Sequence, residues 1–292
     1  MLNKIKSELL NFGLKFINVD EKIVRMLLET SSTNINEIVL LPAVKMVMKK
    51  LVKQLTQKIV HGRVYNGKLN GVRVSIIRTQ IGCPNMALVI ESLKRSKAKI
   101  IVRVDFCGGV SNDDIPIEIG DIFIPNLTYC DDGTTPQYIR SNPSLVNHIE
   151  TIKSPFLSSQ NMITGNHDLG IVKPNELITE ILKKEAINTG DTKLKLGKLW
   201  TTDALFCEDF EFIRVLQSLK VNAIDMESSI LFLLGKLYNL KCSSILSVSD
   251  LPGDPKYDLL NSNEIHPNME QGIDNAINVL IRSLPKISSL LQ

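Results

Sequence analysis

Two acidic residues stand where an α/β chain can do chemistry. Glu227 lies in the run Ala223-Ile224-Asp225-Met226-Glu227-Ser228-Ser229 and opens the apolar stretch 230–238. Asp250 ends the β-like run Ser247-Val248-Ser249-Asp250. Open α/β sheets bind ligands beyond the carboxyl ends of their strands. A carboxylate there holds sugar hydroxyls or protonates a leaving group. The plain alternative is that Asp225 and Asp250 only cap helices. The pair, with Met226-Glu227 between, favours a site.

Strands alternating with helices must carry these acids. β-like runs fall at 37–41, 73–78, 100–105, 121–124, 196–201 and 244–249. Helix-like runs fall at 43–58, 85–96, 174–188, 211–219, 228–237 and 268–284. This order predicts a mixed or mostly parallel sheet with helices on both faces. Residues 1–35 read as an N-terminal helical extension packed on a domain spanning 36–292. Residues 140–172 are rich in Asn, Ser and Pro without a clear period, and read as a loop insertion, either a lid or disorder.

Glycines punctuate two strand ends. Gly82 permits a tight turn and close backbone approach, and Pro84 suits the start of a helix. The run Arg103-Val104-Asp105-Phe106-Cys107-Gly108-Gly109 ends a buried strand. An arginine inside such a strand requires an anion, either a protein carboxylate or a phosphate. Neither cluster matches a Walker or Rossmann pattern. Asp132-Gly133-Thr134-Thr135 either places hydroxyls in a site or makes a surface turn. After Thr201-Thr202-Asp203-Ala204 come Leu205 and Phe206; the Phe206 ring either stacks on a flat ligand or fills the core.

Composition bounds the rest. The 292 residues are 43% hydrophobic and 22% charged, enough for an ample core. A net charge of +3, with no basic cluster interleaved with aromatics, argues against a nucleic-acid partner. The lysines of 45–58 read as the solvated face of an amphipathic helix. Cys83, Cys107, Cys130, Cys207 and Cys242 form no CxxC pair and lie far from the four histidines, which argues against zinc and for a reducing compartment. The opening residues, with Lys4, Lys6 and Glu8, have neither a signal-peptide core nor membrane-span length. The expectation is a soluble cytoplasmic protein with no membrane partner.

Taken in order, Gly120-Asp121-Ile122-Phe123-Ile124-Pro125, Thr201-Thr202-Asp203-Ala204-Leu205-Phe206, Ile224-Asp225-Met226-Glu227-Ser228 and Val248-Ser249-Asp250 resemble the nucleoside phosphorylase superfamily. That group includes purine nucleoside phosphorylases, uridine phosphorylases, methylthioadenosine nucleosidases and AMP nucleosidases. The resemblance implies a single-domain, three-layer α/β/α sandwich around a twisted mixed sheet, assembled as a dimer, trimer or hexamer. It implies no cofactor, with inorganic phosphate as a possible co-substrate. Glu227 would hold the ribose hydroxyls and Met226 would pack on the sugar. Asp250 would protonate the base at N7. Leu205, Phe206, Cys107 and Gly108 would line the base site. Arg103 matches the arginine that binds the attacking phosphate.

The chain also departs from the pattern. The glycine and arginine expected at the end of the first strand are replaced by Leu40-Leu41-Pro42-Ala43-Val44-Lys45. Asp105 and Phe106 stand where a glycine and a hydroxyl would meet phosphate. Arg63 is the one arginine near the position that a neighbouring subunit supplies, and it is out of register. Past Phe206, Glu208-Asp209-Phe210-Glu211 lacks the Gln and Arg of uridine enzymes, and the segments around Ile224 and Asp250 look like AMP nucleosidases, which use water. Cleavage of a purine N-glycosidic bond is the expected activity, with phosphorolysis and hydrolysis both open. The competing expectation is a catalytically silent homologue that binds a nucleoside or serves as an assembly subunit.

Overall fold

The computed structural model describes residues 18–112, 114–156, 168–190 and 193–291. Along them run α1 (Val19–Leu28), β1 (Ile38–Leu41), α2 (Lys45–Gln54), β2 (Thr56–His61), β3 (Val64–Leu69), β4 (Val72–Ile77), α3 (Cys83–Leu93), β5 (Ile100–Gly109) and β6 (Ile122–Asp131). Then come α4 (Thr135–Ser141), β7 (Glu150–Lys153), β8 (Asp168–Val172), α5 (Glu176–Asn188), β9 (Leu194–Thr202), α6 (Phe210–Ser218), β10 (Val221–Asp225), α7 (Ser228–Leu237), β11 (Lys241–Asp250) and α8 (Asn268–Ser288).

The central strand β1 is apolar and buried at every residue because helices cover both faces. In β1, Val39 and Leu41 face one helical layer, drawn from α1, α3 and α7. Ile38 and Leu40 face the other, drawn from α2, α5 and α8. The period of two in side-chain direction thus divides one strand between two cores. This is the α/β/α sandwich that the resemblance implied. α7 is buried from Ser228 through Gly235, so its apolar residues have no solvent side. No described helix is long and apolar enough to cross a membrane.

β1 and β11 both pair with β5 in parallel. Near its end β5 also takes β10 antiparallel, at Gly108 and Gly109. β10 pairs with β9, β9 with β6, and β6 with β11. The five strands β5, β10, β9, β6 and β11 therefore close on themselves. Cys107, Phe123, Leu199, Ala223, Leu246 and Val248 pack together as their shared core. This closure brings the ends of β5, β10 and β11 together.

Several elements differ from the sequence expectation. The helix over 43–58 stops at Gln54, and Thr56–His61 becomes β2, paired with β3. β2 is exposed along almost its whole length, so it has no alternating apolar face to read. Residues 140–172, read as a loop, contain β7 and β8 in the described portion; β8 pairs with β6 and β7 edges the sheet. Of the extension 1–35, residues 1–17 lie outside the described residues; α1 packs through Val24 and Leu28 on the α3–α7 core.

Candidate active site

The C-terminal ends of β1, β5 and β11, the end of β10 and the turn 205–207 line one open cleft with about 150 Å³ of free space. Glu227, Met226, Asp250, Leu205, Cys107 and Gly108 all line it, as does Arg103. Residues 147 positions apart in sequence, Arg103 and Asp250, thus share one wall because β11 lies beside β5, with Asp250 in register with Gly108. Gly108 is the close-approach residue there: a Cβ on it would meet Pro252 at 3.0 Å and lie 3.9 Å from Asp250 Oδ2.

Phe206 is the exception. It is 86% exposed and does not line the cleft. Successive residues of a 3-10 turn point about 120° apart, so with Leu205 turned inward Phe206 turns out. Neither alternative read for its ring, stacking in the cleft or filling the core, describes its position in this structure.

Glu227 follows the end of β10 directly before α7. One carboxylate oxygen, Oε1, accepts the backbone N–H of Gly82 at 2.8 Å. Gly82 has φ +103°, a left-handed backbone that glycine adopts without steric cost. The other oxygen, Oε2, pairs with Arg103 Nη2. Burial raises the Glu227 pKa, and the Arg103 charge opposes that rise.

Arg103 is buried, 2% exposed. Besides Glu227 it meets Asp225, with Nη1 at 3.2 Å from Oδ2. Burial works against its charge, yet Glu227, Asp225 and Asp105 together hold its pKa above the ordinary value. The arginine therefore takes protein carboxylates, the first of the two anions read for it. Asp225 also accepts the Thr201 hydroxyl at 2.6 Å and the Ser228 N–H at 3.0 Å. The second bond ties down the first residue of α7, but Asp225 stands two residues before the N-cap, Glu227, and also meets Arg103 and Thr201, so it is not only a helix cap. Asp250 ends a strand and begins no helix.

Asp105 occupies the other side of Arg103. Its Oδ2 accepts the backbone N–H groups of Ala43 and Val44, the latter at 3.0 Å, and its Oδ1 accepts the Phe106 N–H at 2.9 Å. The side chain thus plugs the turn between β1 and α2. Burial raises its pKa, against Arg103 and these N–H donors. One guanidinium stands among three carboxyl groups, two of them with pKa values raised by burial, and its Nε and Nη1 have no hydrogen-bond partner among the described residues.

Asp250 is 9% exposed, and burial raises its pKa. The Ser249 hydroxyl donates to Asp250 Oδ1 at 2.5 Å and lies 3.2 Å from the Cys107 carbonyl oxygen. Glu208, which sequence reading used only to argue against a uridine-type site, also lines the cleft. Burial, then the charges of Asp250 and Asp258, push its pKa up to about 8. Asp225 and Glu208 were missed as site residues, whereas Asp105 was read at the phosphate position but not as the acceptor of the Ala43 and Val44 amides.

The loop after β6 does not enter the cleft. Asp132 Oδ1 accepts the N–H groups of Thr134 and Thr135, and its Oδ2 accepts the Ser229 hydroxyl at 2.7 Å. These bonds fasten α4 to α7. Among the described residues no group of three or more His, Cys, Asp or Glu could hold a metal ion.

This fold and cleft define a class. The chain belongs to the phosphorylase superfamily, whose family model matches residues 37–285. Among curated relatives, it is similar to a guanosine phosphorylase of Halorubrum lacusprofundi, 21% identical over 76% of this chain and 80% of the relative. It is also similar to a DeoD-type purine nucleoside phosphorylase of Brevibacillus brevis, 27% identical over 64% of this chain and 67% of the relative. Among solved structures, a uridine phosphorylase from Vibrio fischeri shares the fold with a TM-score of 0.67 at 19% identity, over 88% of this chain and 95% of that one. A purine nucleoside phosphorylase from Toxoplasma gondii, in complex with immucillin-H, shares it with a TM-score of 0.66 at 16% identity, over 88% and 93%.

Proposed function

We propose that the cleft breaks the N-glycosidic bond of a purine nucleoside. The observation that carries this reading is the convergence of Glu227, Met226 and Asp250 on one cleft with Cys107, Gly108 and Leu205. Glu227 holds the ribose hydroxyls. Its oxygens already accept from Arg103 and Gly82, but a carboxylate has about four lone-pair sites, leaving room for hydroxyl donors. Asp250, whose pKa burial raises, gives a proton to N7 as the bond breaks. The sugar becomes cation-like, and the excess of carboxyl groups around Arg103 stabilises that charge.

Water is the nucleophile in this reading. Asp105 occupies the Ala43 and Val44 amides, and the acidic surroundings disfavour a phosphate ion. The water oxygen bonds the anomeric carbon, its proton passes to a cleft carboxylate, and the base departs with the Asp250 proton. The test is product analysis with adenosine, inosine, guanosine, uridine and AMP, with and without phosphate. Free ribose or ribose 5-phosphate at a phosphate-independent rate is expected. Ribose 1-phosphate, formed only with phosphate, overturns the choice of water.

The same occupation of the turn amides by Asp105 favours a second reading, a nucleoside-binding homologue without turnover. Purine binding by calorimetry with no base release separates it from the first.

A further inference from the structure

A second cavity, with about 650 Å³ of free space, lies between α2 and the strands β2 to β4. Lys45, Lys49 and Lys53 of α2 line it, with Lys58 of β2, Arg63 at the turn into β3 and Arg78 just past β4. No Asp or Glu is among the described residues that line it. None of the six cations makes an ion pair with a described carboxylate. The cavity shares no lining residue with the cleft of Glu227 and Asp250.

In sequence these lysines read as a solvated helix face. Lys50 shows how the same helix treats a lysine that meets a neighbour: it pairs with Glu270 and Asp274 of α8, both at 2.8 Å. Lys45, Lys49 and Lys53 are spaced four apart, so they stack along one face where like charges repel. The two arginines are held by backbone oxygens. Arg63 Nη1 donates to the Leu27 carbonyl at 2.9 Å, and Arg78 Nε to the Ala43 carbonyl at 2.8 Å. Those bonds orient the guanidinium groups without supplying a carboxylate to either.

A concave wall of one charge sign focuses the field and concentrates counter-ions. One phosphate group carries about −1.5 to −2 at neutral pH, so it balances at most two of the six cations. A chain of phosphates matches their number and their spread over α2 and the strands. Arginine meets phosphate oxygens with a fork of N–H donors, and lysine meets them as a point charge. Met48, Val52 and Tyr65 give the cavity an apolar side, on which a base can lie. We propose that this cavity binds an oligophosphate chain, free or carried by a nucleotide. The site does not depend on turnover in the cleft, so it stands or falls apart from the proposed activity.

The test is calorimetry of the full chain with inorganic tripolyphosphate, ATP and inorganic phosphate, at low salt and at about 0.15 M salt. Tripolyphosphate is expected to bind at least about tenfold more tightly than phosphate, the scale of a few exposed ion pairs, and to weaken as salt rises. ATP binding more tightly than tripolyphosphate assigns the site to a nucleotide; equal affinities assign it to the phosphate chain alone. Lys49→Gln/Lys53→Gln should weaken tripolyphosphate by about tenfold, and Lys58→Gln alone by about threefold. All three side chains are exposed, so folding is retained, which Tm checks. Lys97→Gln, exposed before β5, should keep the wild-type affinity. Unchanged affinity in both cavity variants, an equal loss in Lys97→Gln, or phosphate binding as tightly as tripolyphosphate overturns the proposal. A single-stranded oligonucleotide that binds more tightly than ATP also overturns it, because the face is then a nucleic-acid surface.

Discussion

The Asp105 carboxylate accepts the backbone N–H of Val44 at 3.0 Å, joining the middle of β5 to the start of α2. With the Ala43 N–H on the same oxygen, this bond fills the turn with an anion that belongs to the chain. Asp105→Gly removes that anion and frees both amides. Base release in this variant is expected to rise with added phosphate, while the wild-type rate stays flat. The variant also loses about 1–3 kcal/mol of stability through the unsatisfied buried donors, measured by urea unfolding. A phosphate response in the wild type contradicts the plug.

Arg103→Met leaves Asp225 and Glu227 buried without their cation. Removing one partner of such a pair destabilises by about 3–5 kcal/mol. Chemical denaturation should show this loss, growing with pH as the stranded carboxyls ionise. A variant as stable as the wild type at alkaline pH would show that the ion pair does not hold β5 to the start of α7.

Asp250→Asn keeps shape and removes the proton. Its expected effect is a fall in kcat of roughly 10²–10⁴-fold, the range of general acid catalysis, with KM nearly unchanged. If Asp250 is the proton donor, activity depends on its protonated form, which burial favours by raising its pKa. It is therefore full on the acid side and falls as pH rises through the folded-state pKa. Steady-state kinetics against pH check both statements.

Glu208 also predicts a pH dependence of stability. Its folded pKa of about 8 lies above the ordinary 4.5, so the folded protein holds a proton that the unfolded chain releases. This contribution is complete below about 4.5 and is lost as pH rises toward about 8. Glu208→Gln should flatten that part of the stability curve, and Tm measured across the window decides it.

Legibility varied with physical cause. β1 and the start of β5 were visible as continuous apolar runs, and α7 by its apolar core from Ile230 to Leu234. β2 and β7 were not, because exposed edge strands carry no such pattern. Leu205 and Phe206 look alike in sequence; a single 3-10 turn sends one into the cleft and the other to solvent.

By itself the sequence determined the alternating architecture, the acids at strand ends and the presence of Asp105 and Phe106 beside Arg103, since these are matters of residue type and local spacing. Only the tertiary structure decided what the acids touch. That Arg103 spends its charge on Asp225 and Glu227, that Asp105 seals the turn at Ala43 and Val44, and that Glu208 lines the cleft with Asp250 all follow from the closure of β5, β10, β9, β6 and β11. Long-range pairing sets those distances, and no local pattern in the chain encodes them.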